Sequence, residues 1–191
     1  MKKTGLFFGS FNPIHIGHLI LAEYFATQTD LEEVWLVITP QNPLKKKDSL
    51  LDQYHRLDLV HRAIAHNPRL RASDVEFKLE KPSYTIHTLV HLREQHPDRQ
   101  FTLIMGEDNL VSLPRWKNHE QLLQQFEIMV YPRVGQFPTE LAGHKSVQLL
   151  NAPVIEISSS QIRQNIKHGL SIRYLVPDSI HDYLTEQQFY K

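Results

Sequence analysis

The chain has 191 residues, 41% of them apolar, with 21 basic and 21 acidic side chains and a formal net charge of zero. That length suits one α/β domain with an apolar core, and the even charge points away from nucleic acid and from anionic membrane surfaces as partners. There is no cysteine, which excludes disulfides, thiolate metal sites and cysteine nucleophiles and fits a cytoplasmic protein; no signal-peptide pattern and no apolar span of about 20 residues is present.

In chain order, Gly5 to Phe8 is a short apolar run bounded by glycine, as a strand buried on both faces requires. Ser10, Asn12 and Pro13 are turn residues, and helical periodicity runs from Ile16 through Leu19, Ile20, Ala22 and Phe25. Glu33 to Thr39 reads as a second strand, and Pro40 to Asp48 as a loop. Leu50 to His66 reads as a helix stopped by Asn67-Pro68. Leu70 to Leu79 carries one or two short strands. A helix over Tyr84–Gln95 is entered through Pro82-Ser83, and a strand over Phe101–Met105 ends in Gly106. Leu122 to Gln125 closes a helix, Glu127 to Tyr131 is a strand, and Gly135 to Lys145 a loop or insertion. Pro153 to Ile157 reads as a final strand, before helices over Ser160–Lys167 and Pro177–Gln187.

This alternation predicts βαβ units and a parallel sheet flanked by helices, in one domain over residues 1–191 with a small helical extension from about 158 to 191. Ligands of such sheets bind beyond the carboxyl ends of the strands, where the winding reverses, so the loops after Phe8, Thr39, Met105 and Ile157 should converge.

Two segments carry the chemistry. In Gly9-Ser10-Phe11-Asn12-Pro13-Ile14-His15-Ile16-Gly17-His18, a strand meets a tight turn and then a helix opening on two histidines. Gly9 has no Cβ to hold off a ligand, and a helix N-terminus offers N–H groups and partial positive charge. His15 and His18, three apart on a first helical turn, share one side and suit an anion whose charge changes during reaction. A zinc site would need three or four ligands, and no carboxylate or cysteine stands near. In Ile157-Ser158-Ser159-Ser160-Gln161-Ile162-Arg163, a serine suits an N-cap. Arg163, placed in the first turn, opposes the helix dipole, and a bound anion would resolve that conflict.

The first segment resembles the HxGH signature of the nucleotidyltransferase superfamily, whose members are Rossmann-like α/β enzymes. The second is similar to the ISS(S/T)xIR element of the adenylyltransferases. Ser83-Tyr84-Thr85-Ile86-His87-Thr88-Leu89 and Gly106-Glu107-Asp108 through Leu113-Pro114-Arg115-Trp116 resemble the bacterial nicotinate mononucleotide adenylyltransferases.

The resemblance implies transfer of AMP from ATP to nicotinate mononucleotide, giving nicotinate adenine dinucleotide and pyrophosphate in NAD biosynthesis. Mg²⁺ would travel with ATP, held by phosphates and water and by no protein ligand. It implies His15, His18 and Arg163 as catalytic residues. Gly9, Ser10, Phe11, Gly106, Asp108, Ile157, Ser158, Ser159 and Ser160 would join them around ATP. Ser10, Asn12, Lys45, Tyr84, Thr85, Trp116 and Lys117 would serve the nicotinate nucleotide. There Trp116 stacks on the pyridine ring, and backbone N–H groups near Thr85 and after Trp116 meet the carboxylate.

Two positions depart from the family pattern. Leu44 stands where the PxxPHK loop has histidine, and His87 where SYTxDT has aspartate. His87 and His91 lack the glutamate of a HExxH peptidase, Thr88 standing there instead. His55, His61 and His66 read as helix-surface residues. Phosphopantetheine adenylyltransferase, an enzyme preferring the amide nucleotide NMN, and a silent nucleotide sensor stay open as alternatives. A homo-oligomer is also open.

Overall fold

The strands β1 (Lys2–Gly9), β2 (Glu33–Ile38), β3 (Leu70–Ser73), β4 (Arg99–Gly106), β5 (Glu127–Tyr131) and β6 (Val147–Leu149) form one sheet. Their order is β3-β2-β1-β4-β5-β6, and every neighbouring pair is parallel. The structure is a computed structural model and describes residues 1–40 and 50–191.

The strands are apolar on both faces because both faces are covered, as parallel strands joined by crossover helices must be. Side chains alternate between two cores. Phe7, Leu36, Ile104 and Met129 enter a cluster with α1 (Ile16–Gln28), α2 (Gln53–Ile64), α6 (Ser159–Lys167) and α7 (Asp178–Glu186). Leu6, Trp35, Leu103 and Ile128 enter the opposite one, with α3 (Thr85–Gln95), α4 (Glu107–Ser112) and α5 (His119–Gln125). Among the described residues no helix is long and apolar enough to cross a membrane.

The winding runs outward from β1 through β2 to β3, then returns through α3 to β4 on the other side of β1. The carboxyl ends of β1 and β4 are therefore the switch point, where a crevice opens between diverging loops.

One sequence expectation is corrected. Residues 153–157 are not a strand. The last strand is Val147–Leu149, whose ladder ends with Leu150 N–H donating to the Val130 carbonyl at 2.9 Å. Among the described residues no further strand lies beyond β6 to pair with, and Pro153 has no N–H to give. The apolar run instead crosses the carboxyl end of the sheet, where Ile155 and Ile157 line the crevice. Of the one or two short strands expected between Leu70 and Leu79 there is one, followed by a 3₁₀ turn at Val75–Phe77. That turn takes Glu76, 2% exposed, inward to accept a hydrogen bond from Thr88 Oγ1 at 2.8 Å. The stretch read as a loop over Gly135–Lys145 contains a 3₁₀ turn at Glu140–Gly143.

Candidate active site

The crevice is a cleft of about 350 Å³. Its floor is the end of β1 and the turn that follows. Phe11 lies in the left-handed region, φ 43°, which folds its ring back under the strand end. Gly9 permits this, because a Cβ there would stand 2.8 Å from the Phe11 ring. The ring is 1% exposed and packs against His18, centroids 5.0 Å apart, so Phe11 supports the site from below rather than lining it.

The carbonyls of this turn are held from outside. Ser10 O accepts from Arg56 Nη1 at 2.6 Å, Asn12 O from Arg163 Nη1 at 2.8 Å, and Pro13 O from Ser159 Oγ at 2.9 Å. Arg56 also donates to the carbonyls of Leu51, Thr39 and Pro40 at 2.8, 2.8 and 3.0 Å. It is fully buried, and it ties the loops after β1 and β2 to the start of α2. Burial lowers its pKa, opposed by Tyr190 and Asp52, and it remains charged.

His15 and His18 come together, but not as two residues of one helical turn. His15 is the N-cap of α1, with extended backbone at φ −146° and ψ 170°. From there its imidazole stacks on that of His18. Its backbone N–H donates to His18 Nδ1 at 3.3 Å, so neutral His18 carries its proton on Nε2. Gly17 leaves room for the pair, since a Cβ would meet His15 Nδ1 and Ile155 Cγ2 at 3.1 Å. His15 is 5% exposed, and its Nδ1 is buried with no hydrogen-bond partner among the described residues. Burial, with the positive charge of Arg133 second, pushes its pKa down to about 4. A buried imidazole with an unmet ring nitrogen, at the wall of a cleft, is suited to a polar ligand atom.

The wall opposite is the start of α6. Ser158 caps it, accepting from Gln161 N–H at 3.2 Å, and Ile157, Ser158, Ser159, Ser160 and Arg163 all line the cleft. Arg163 sits in the second turn of α6, not the first as expected. It reaches back to Asn12 O and to Ser160 Oγ at 3.3 Å. Its conflict with the helix dipole is thus relieved in part by those partners.

Gly9, Ser10, Asn12, His15, His18 and Asp108 also line the cleft. Gly106 does not; it is the N-cap of α4, one residue before the turn that carries Asp108. Thr85 and Trp116 meet around a separate space of about 40 Å³, with Phe8, Asn109 and Tyr131 between it and the main cleft. Trp116 Nε1 donates to Ser112 Oγ at 3.2 Å, which fixes the indole. Tyr84 and Lys117 stand outside both spaces and pair with each other, Lys117 Nζ lying 4.4 Å from the Tyr84 ring centroid. Lys45 and Leu44 lie outside the described residues. His87, the other departure, is exposed on α3, its ring edge-on to Tyr84 at 5.6 Å.

Sequence reasoning missed Arg56, Asn109, Tyr131, Arg133 and Ile155. Arg56 could have been found, because Arg56, Leu59, Val60 and Ile64 share the buried stripe of α2. Arg133 follows β5 and approaches Asp108 at 3.5 Å. It brings a second guanidinium to the cleft, and no local pattern announces it. Tyr131, its phenol pushed up to about 12 by burial, stays a neutral hydroxyl in the cleft wall.

Residues 6–165 match the family model described as cytidylyltransferase-like. A protein of Flavobacterium psychrophilum named "Probable nicotinate-nucleotide adenylyltransferase" is 51% identical over 99% of both chains. A protein of the same name from Cytophaga hutchinsonii is 50% identical over 98% of both. The fold is similar to that of Plasmodium falciparum nicotinic acid mononucleotide adenylyltransferase in its complex with NaAD. There the TM-score is 0.81 at 22% identity, over 100% of this chain and 98% of that one. With half of its residues shared along nearly its whole length, and a cleft at the switch point of the matching fold, the chain belongs to the nicotinate-nucleotide adenylyltransferase family.

Proposed function

We propose that the cleft binds ATP and nicotinate mononucleotide and joins them by adenylyl transfer. The observation that carries this reading is a juxtaposition. Two histidines, two arginines and the start of α6 converge on one side of the β1–β4 switch point, and the Thr85–Trp116 space opens on the other. The first group suits a triphosphate and the second a flat aromatic ring.

In the reaction, a phosphate oxygen of nicotinate mononucleotide attacks the α-phosphorus of ATP. The new oxygen–phosphorus bond forms as the bond to the bridging oxygen breaks, and pyrophosphate leaves with that oxygen. The nucleophile is already an anion, so no side chain has to remove a proton. Catalysis rests on alignment and on donors placed where charge builds up. We assign His18 Nε2–H to the α-phosphate and bridging oxygen, with neutral His15 behind it. Arg163, Ser159 and Ser160 would hold the outgoing pyrophosphate, and Gly9, Ser10 and Asn12 would form the bed on which the two substrates meet.

The divalent ion enters as part of the substrate MgATP. Among the described residues no three His, Asp or Glu side chains cluster to hold one, so no step is assigned to it. We read the whole chain as one catalytic domain working in the cytoplasm, a reading that the absence of cysteine supports.

The test is pyrophosphate release with MgATP and, separately, nicotinate mononucleotide, NMN and phosphopantetheine. Turnover with the first is expected. Turnover with phosphopantetheine alone would overturn the reading, and no release with any of the three would leave a nucleotide-binding protein without this chemistry.

A further inference from the structure

Asn12 lines the cleft yet is only 4% exposed, and a carboxamide can be seated either way round. Its orientation is decided from outside the turn. Oδ1 accepts from the backbone N–H of Leu51 at 3.1 Å and from the hydroxyl of Tyr190 at 2.6 Å. Two donors meeting one atom require oxygen there; turned over, the amide would set its own N–H groups against them. The amide nitrogen therefore lies on the far side from Leu51 and Tyr190.

The chain takes an unusual path to bring that hydroxyl from 178 residues away. After α7 it reverses, with Gln188 N–H donating to Thr185 O and Phe189 N–H to Leu184 O. Gln188 and Tyr190 both lie in the left-handed region, φ 55° and 66°, where glycine is the usual occupant. The Phe189 ring anchors the reversal, its centroid 4.9 Å from that of His55 on α2 and 5.9 Å from that of Tyr183. Backbone in this region persists only where its surroundings hold it, and it gathers at functional sites. Burial raises the pKa of Tyr190 against the opposing charges of Arg163 and Arg56, so the phenol stays a donor.

We propose that Tyr190 is a positioning residue of the active site: by holding Asn12 Oδ1 it sets the direction of the amide nitrogen, and through it the seating of the nicotinate nucleotide. This rests on the reaction read above. Tyr190 touches no reacting atom, and it acts only through Asn12. A tail that served stability alone would change the melting temperature and leave the kinetic constants of the folded enzyme as they were.

Tyr190→Phe removes one hydroxyl and keeps the ring, so the reversal at Phe189 survives. Steady-state constants for both substrates and the melting temperature should be measured for this variant, for Asn12→Ala and for the double variant. The expected result for Tyr190→Phe is a KM for nicotinate mononucleotide raised about 5–10-fold, the worth of one lost hydrogen bond. The KM for ATP should stay within about twofold of its original value. In the Asn12→Ala background, Tyr190→Phe should change nothing further, because the group it holds is gone. Equal losses in both backgrounds, or unchanged constants with a lowered melting temperature, would overturn the role of Tyr190 while leaving the reaction in place. A wild-type chain inactive on nicotinate mononucleotide would overturn both.

Discussion

The imidazoles of His15 and His18 stack with centroids 3.7 Å apart and planes 26° from parallel. Two positive charges so close would repel by roughly 4 kcal/mol at an effective dielectric of about 20, which disfavours two imidazolium ions at once. Burial has already settled the matter for His15, whose pKa of about 4 leaves it neutral at pH 7.

This has a consequence for stability. A histidine in the unfolded chain takes its proton near pH 6.5, and His15 in the folded chain does so only near 4. As pH falls through that window the unfolded state binds more protons, so stability is lost on acidification. The loss from this residue is about 3 kcal/mol by pH 4. Urea unfolding of the wild type and of His15→Asn at pH 7 and pH 4.5 should show the variant losing less. A triphosphate beside His15 should raise its pKa again, so that ATP binding at pH 5.5 takes up protons. Calorimetry in two buffers of different ionisation heat reads that uptake, and identical heats would place the triphosphate elsewhere.

On the proposed mechanism, His18→Ala removes a donor from the point where charge develops. Turnover should drop by roughly 10²–10³-fold, the scale of losing one preorganised donor to an oxyanion. A folded variant with wild-type turnover would take His18 out of the mechanism.

Arg163→Ala should weaken ATP binding by about 1.5–3 kcal/mol, the range for a hydrogen bond to a charged group. Arg163 also holds the carbonyl of Asn12, so a smaller effect on nicotinate nucleotide binding should accompany it. Calorimetry with each substrate alone separates the two. A larger loss for the nicotinate nucleotide than for ATP would mean the half-sites are assigned the wrong way round.

Arg56→Met leaves the carbonyls of Leu51, Ser10, Thr39 and Pro40 without their donor. The expected destabilisation is about 3–5 kcal/mol, and Arg56→Lys should restore part of it only, lacking the planar fork. The denaturant midpoint measures this, and a shift worth less than about 1 kcal/mol would show that the loops hold together without it.

On the proposed reading, substrate choice is made in the Thr85–Trp116 space, where backbone N–H groups near Thr85 and after Trp116 would match two carboxylate oxygens and a carboxamide would turn its own N–H₂ toward a donor. A preference for nicotinate mononucleotide over NMN of at least about 10²-fold in kcat/KM is expected, equivalent to roughly 2.7 kcal/mol. Trp116→Ala should slow both, since stacking does not read the carboxylate. Equal kcat/KM for the two nucleotides would rule out an acid-selective pocket.

What the sequence by itself determined is local in origin. A buried parallel strand is an apolar run, a tight turn needs Gly9 and Pro13, and a helix start shows a serine cap, which the structure places at Ser158; each is written in neighbouring residues. The pairing of His15 with His18, three residues apart, was legible for the same reason. The strand expected over residues 153–157 failed because an apolar run does not say what it will pack against: here Ile155 and Ile157 line the cleft, Ile155 beside Gly17 of α1, while Val154 is left 55% exposed. Only the tertiary structure decided that Arg56 is a buried hub, that burial, with Arg133 second, lowers the pKa of His15, and that Tyr190 reaches Asn12. Each depends on which distant segments meet, and on how far water is excluded when they do. Hydrogen-bond partners and local dielectric belong to the packed molecule, not to any stretch of the chain.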